Sequence, residues 1–150
     1  MNRKNIIIVS IIGLLIVGLF AAGLMLSQKE SEEIAEESPE VVIYLFWSET
    51  CPYCLAEKEF LTSLQSEYPS LVVEFHEVSQ SQENYLLFLE MANAYGVENP
   101  QGVPMTFISD QYFIGFAVDS IGNQIVQAIE ECLQDICPSP ISFLSENSID

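Results

Sequence analysis

Apolar and polar positions divide this chain into three zones. Residues 6–26 are apolar throughout, with Ser10 the one polar side chain and glycines at 13, 18 and 23. Residues 27–40 read SQKESEEIAEESPE, with six glutamates and a single large apolar residue, Ile34. From Val41 onward the pattern changes to the short periods of a folded domain. VVIYLFW (41–47) is a continuous β-branched and aromatic run that predicts a central strand buried on both faces. Residues 52–67 place Leu55, Phe60, Leu61 and Leu64 at helical spacing, with Pro52 in the first turn, where no N–H bond is lost. LVVEFHEV (71–78) predicts a second strand. Residues 82–95 predict a second helix, with Leu86, Leu89, Met91 and Ala94 apolar and Gly96 as its cap. After a loop carrying Pro100 and Gly102, MTFIS (105–109) and YFIGF (112–116) predict two strands joined by a turn at Asp110-Gln111. A third helix is expected over 120–135, stopped by Cys137-Pro138. The tail from 139 to 150 carries Ile141, Phe143 and Leu144 and reads as a loose extension.

The order β-α-β-α-β-β-α predicts an α/β domain over 41–138. Its sheet is four-stranded and mixed, flanked by three helices, with a hairpin supplying the antiparallel edge. The two zones before it set the compartment. As a helix, the uncharged run 6–26 spans about 30 Å, the thickness of a bilayer core. Arg3 and Lys4 precede it, so the positive-inside bias keeps residues 1–5 in the cytoplasm and sends the rest outward. We read an uncleaved single-pass anchor. The alternative is a removed signal peptide, but the run exceeds the usual h-region and no tidy A-x-A site follows it. Either way the domain lies outside the cytoplasm, on a charged, self-repelling tether at 27–40.

Charge narrows the partners. The chain has 22 acids and 4 bases, net −18. From Val41 onward sixteen acids face one base, Lys58, a local net charge of −15. Such a surface repels phosphate backbones, which excludes nucleic acid as a partner. At 49% hydrophobic and 17% charged residues, the composition also excludes a disordered chain.

The chemistry lies at Cys51-Pro52-Tyr53-Cys54, directly after the central strand and at the start of a helix. At that position Cys51 meets the free backbone N–H groups and positive dipole end of the helix, and both favour the thiolate. Cys54 lies one turn on, on the same side, where it can close a disulfide with Cys51. Cys51 is then the nucleophile toward a substrate disulfide and Cys54 the residue that resolves the mixed disulfide. Half of a zinc site is the competing reading; it needs two more ligands, for which only His76, Cys132 and Cys137 are on offer. Tyr53 is expected to be exposed between the cysteines, where it can touch substrate. Trp47 reads as a platform beside them, or as core. The reading calls for no cofactor and no resident metal.

With Gly102-Val103-Pro104 ahead of a strand and FIGF in the hairpin, residues 41–135 resemble the thioredoxin-like superfamily. The resemblance implies a cis Pro104 facing the cysteines. It also implies substrate contacts at Pro52, Tyr53, Val103 and Pro104, with the Val103 backbone offered to an extended segment. Pro-Tyr between the cysteines is the pair typical of glutaredoxins, yet Glu49 and Thr50 precede Cys51 here and the paired glycines of that group reduce to Gly115. Glutathione, an anion, meets a repelling field. Thioredoxins carry a buried aspartate where this chain has Leu45, so that proton acceptor is expected to be missing. The whole is most similar to membrane-tethered, outward-facing thioredoxin-like proteins.

Cys132 and Cys137 form the second pair. If the helix ends near Asp135, the chain folds back and joins them in a small structural disulfide. A second redox pair relaying electrons to Cys51 and Cys54 is the sharper alternative, and unpaired cysteines are the third. The function expected is a membrane-tethered thiol–disulfide oxidoreductase. Its partners are protein thiols or disulfides outside the cytoplasm and a membrane protein that donates electrons. The alternative is a copper chaperone or protein-binding assembly factor on the same fold, for which Met105 beside Pro104 is the sole added hint.

Overall fold

A computed structural model describes residues 40–146 of this chain. The anchor expected at 6–26 and nearly all of the acidic tether lie outside the described residues. Among the described residues no helix is long and apolar enough to cross a membrane.

The elements follow the predicted order. They are β1 (Val41–Trp47), α1 (Pro52–Glu67), β2 (Leu71–Glu77), α2 (Gln82–Ala94), β3 (Met105–Ile108), β4 (Gln111–Ile114) and α3 (Asn123–Gln134). A short helix, α4 (Ser142–Glu146), follows in the tail. The sheet order is β2-β1-β3-β4. β1 pairs parallel with β2 and antiparallel with β3, and β3 pairs antiparallel with β4. β1 is central in the sheet and has an apolar layer packed on each face, which is why its seven residues read as unbroken apolar sequence.

Two apolar layers cover the sheet. On one face Ile43, Leu45, Ile108 and Phe113 pack with Leu61 and Leu64 of α1 and Ile125 and Ile129 of α3. On the other, Phe46, Met105 and Phe107 pack with Phe88, Met91 and Ala92 of α2. The tail joins this second layer: Leu144 packs against it, and the Phe143 ring lies 5.2 Å from that of Tyr95. The expected loose extension is therefore part of the fold, and a fourth helix is added to the expected three.

Other details depart from expectation. The β3–β4 turn falls at Ser109-Asp110, one residue early, with Ser109 at φ 51. The third helix opens with one wide turn, Val118–Gly122, before regular α-helix begins. Leu55 and Leu86, expected on buried helix faces, are about half exposed, at 48% and 51%. Their places are taken by Glu57 on α1 and by Phe88 and Ala92 on α2.

Candidate active site

The site forms at the C-terminal end of β1, the end of an α/β sheet where ligands are usually met. The chain leaves β1 through a turn closed by the Cys51 N–H donating to the Ser48 carbonyl at 3.1 Å. The Ser48 hydroxyl donates to Ser79 Oγ at 3.2 Å, joining this turn to the loop after β2. Glu77 reinforces the joint. Its carboxylate accepts from the Ser79 hydroxyl and from backbone N–H groups of Glu49, Ser79 and Gln80, which hold it below the usual carboxylate range.

Cys51 caps α1. Its Sγ accepts the Cys54 N–H at 3.3 Å, so a sulfur occupies the place where a serine or aspartate oxygen ordinarily satisfies the first free amides. Pro52 takes the first helical position. Cys51 is partly exposed, whereas Cys54 is wholly buried, and both are free thiols. Burial pushes the Cys54 thiol up to about 12, helped by its hydrogen bond with Cys51 and by the charges of Cys51 and Glu57; a backbone bond from Ser48 works the other way. Cys51 is the more accessible thiol of the pair. The buried one stays protonated until a base takes its proton.

Opposite stands the turn before β3. The Cys51 thiol faces the Val103 carbonyl at 3.6 Å, and the Val103–Pro104 bond is cis. Gly102 enters this turn at φ +138, a backbone conformation that side-chain-bearing residues rarely adopt. Val103 is half-buried and Pro104 buried, with the Pro104 carbonyl accepting from the Gly115 N–H at 2.9 Å. Pro52 is exposed, and Tyr53 is 65% exposed beside the sulfur. Trp47 is half-buried, and the Lys58 ammonium lies 3.6 Å from its ring centroid. One face of the expected platform is thus covered by the domain's only base.

In sequence Glu57 counts only, with Glu49 and Glu59, as one of the acids whose field opposes a Cys51 thiolate; its burial is not foreseen. It is wholly buried, one helical turn beyond Cys54. Its Oε1 accepts a 2.5 Å hydrogen bond from the Thr106 hydroxyl, while the buried Oε2 has no hydrogen-bond partner. Burial pushes the Glu57 carboxyl up to about 7, the Thr106 bond opposing the rise. Thr106 stands opposite Leu45 in the β1–β3 register. Leu45 leaves no acid at that strand position, and the buried carboxylate of this patch of sheet comes instead from the helix. The signal was in the spacing: Cys54, Glu57, Leu61 and Leu64 form one buried stripe, and the glutamate is its one charged member.

Cys132 and Cys137 are joined in a disulfide, with Cα atoms 5.2 Å apart. Neither is therefore free to complete a zinc set with Cys51 and Cys54. Gly122 lies against Phe60, and the Tyr68 hydroxyl donates to Glu130, so α3 runs along α1 toward its C-terminal end. The disulfide sits there, at the opposite end of α1 from Cys51, which favours the structural reading over the relay. Met105, the hint toward copper, packs among Phe46, Phe88 and Phe107 on the sheet face away from Thr106.

No family model and no curated protein matches this chain. Solved structures do. A protein described as thiol:disulfide interchange protein DsbE, from Chlorobium tepidum, is 18% identical; the match covers 65% of this chain and 82% of that one, with a TM-score of 0.48. Thioredoxin O2 from Arabidopsis thaliana, in its oxidised state, is 14% identical over 59% of this chain and 75% of its own, at 0.43. Glutaredoxin grx-1 from Archaeoglobus fulgidus is 18% identical over 63% and 97%, at 0.40. With its sheet order, its Cys-x-x-Cys opening the helix after the central strand, and its Val-Pro turn facing the first sulfur, the described domain has a thioredoxin-like fold.

Proposed function

We propose that this chain is a membrane-tethered thiol–disulfide oxidoreductase acting on proteins outside the cytoplasm. The observation that carries the redox reading is the unequal pair: a partly exposed Cys51 on a helix cap and a wholly buried Cys54 beside a buried carboxylate. The tether and its direction rest on the uncharged run 6–26 behind Arg3 and Lys4.

The reaction balances over two sulfurs. The Cys51 thiolate attacks a substrate disulfide; a mixed disulfide forms and the first substrate thiolate leaves. Glu57 Oε2 takes the Cys54 proton, directly or through one water. The Cys54 thiolate attacks Cys51 Sγ, the Cys51–Cys54 bond forms, and the second substrate thiolate leaves. The substrate gains two electrons and the cysteine pair loses them. Run backward, with Glu57 returning the proton to Cys54, the same steps oxidise a substrate dithiol.

Two measurements on the full-length chain test this. The reduced protein should transfer two electrons to a peptide disulfide. Cys51→Ser should abolish transfer, and Cys54→Ser should stop it at a mixed disulfide visible by mass. In intact cells, Cys51 should react with a membrane-impermeant maleimide; protection until lysis would contradict the extracytoplasmic placement.

A further inference from the structure

We propose that Thr106 is a positioning residue of this site: its hydroxyl holds Glu57 Oε1, leaving Oε2 as the oxygen that takes the Cys54 proton. The proposal rests on the reading of Cys54 and Glu57 given above. Both side chains are wholly buried, and their 2.5 Å contact joins β3 to α1 across the apolar layer. A carboxylate only accepts, so the hydroxyl donates and its hydrogen is committed to Oε1. Thr106 lies between Leu45 and Phe113 in the sheet register, where a β-branched shape fits and valine would suffice for packing alone. The hydroxyl is there at a cost unless it is used. It also lies two residues after Pro104, so one strand carries both the turn that faces Cys51 and the group that orients the carboxylate.

The other titratable groups around Glu57 leave this pair to itself. From its own helix, Cys54 interacts with it electrostatically, and Lys58 is drawn onto the Trp47 ring. Tyr44 of β1 packs on the other sheet face, where His76 of β2 stacks on it; Glu74 of β2 is exposed, Glu77 is held by the loop after β2, and β3 carries no titratable side chain. Tyr112 of β4, Asp119 before α3, and Glu130 and Glu131 of α3 are exposed.

The test is the pH dependence of resolution in the reduced full-length chain mixed with excess 4,4′-dithiodipyridine. The first thiopyridone released reports Cys51 attack and depends on reagent concentration. The second reports Cys54 attacking Cys51 Sγ and does not. Its rate should rise with a break near pH 7, where Glu57 ionises. Thr106→Val should move that break upward by about one unit, and Thr106→Ser should restore it. If Glu57→Gln abolishes the break but Thr106→Val leaves it in place, the proposal is wrong and the Glu57 reading stands. If Glu57→Gln leaves the break unmoved, both fall. Circular dichroism checks folding; should Thr106→Val fail to fold, Thr106→Ala makes the same comparison.

Discussion

A glutamate buried without a cation beside it lowers the stability of the fold at the pH where it must ionise. Glu57 bears that cost. Its folded value, about 7, lies above its ordinary 4.5, so the folded state holds its proton more tightly than the unfolded state does. This group's contribution is therefore most favourable below pH 4.5. It is lost as pH rises through about 7, and the penalty levels off there at roughly 3 kcal/mol. Glu57→Gln removes the titration. Its melting temperature relative to the parent should climb between pH 4.5 and pH 7.5, read by thermal melts at fixed ionic strength. A constant difference across that range would mean that the Glu57 carboxyl is not raised in the folded protein above its unfolded value. Cys54 and Cys51 were legible in sequence from their spacing. Glu57 was not, because a glutamate on a helix is nearly always a solvated face. What identifies it is the stripe it shares with Cys54, Leu61 and Leu64, and the Thr106 hydroxyl that only the sheet register brings within reach.

Among the elements, α1 was legible to the residue, since Pro52 fixes its start and Tyr68-Pro69 its end. Its buried face was not, because Leu55 suited an apolar stripe that the helix turns outward. The β3–β4 turn was misplaced by one residue for a local reason: Ser109 adopts a positive φ that asparagine or glycine would have advertised. The tail helix is too short to show a period, and tertiary contact with Tyr95 makes it part of the fold. At the end of α3 the Cys132–Cys137 bond closes a short loop, worth about 2 kcal/mol by chain entropy. Replacing both cysteines with alanine should lower the unfolding free energy by about that amount in urea titrations. The rate of peptide-disulfide exchange should stay unchanged, since the disulfide lies at the far end of α1 from Cys51. A matching loss of exchange rate would return these cysteines to the redox pathway.

Across the whole molecule, charge decides which disulfides approach. Sixteen acids from Val41 onward face one base, and that base is held over the Trp47 and Phe75 rings. Among the described residues no free cation is left near Cys51 to receive a substrate carboxylate. The reduced chain should react faster with cystamine, a dication, than with neutral hydroxyethyl disulfide, and slowest with glutathione disulfide. The spread should be about tenfold or more at low salt and shrink as salt is added. Equal rates at low salt would show that the surface charge does not reach the sulfur.

The most direct test of the account is the redox equilibrium of Cys51 and Cys54 in the full-length chain. Equilibration with graded thiol–disulfide buffers, followed by acid quench, alkylation and mass spectrometry, counts thiols at each cysteine. The account predicts one reversible two-electron transition, with Cys51 and Cys54 changing together while Cys132 and Cys137 stay bonded. The absence of a reversible transition at Cys51 and Cys54, or one confined to Cys132 and Cys137, would contradict it.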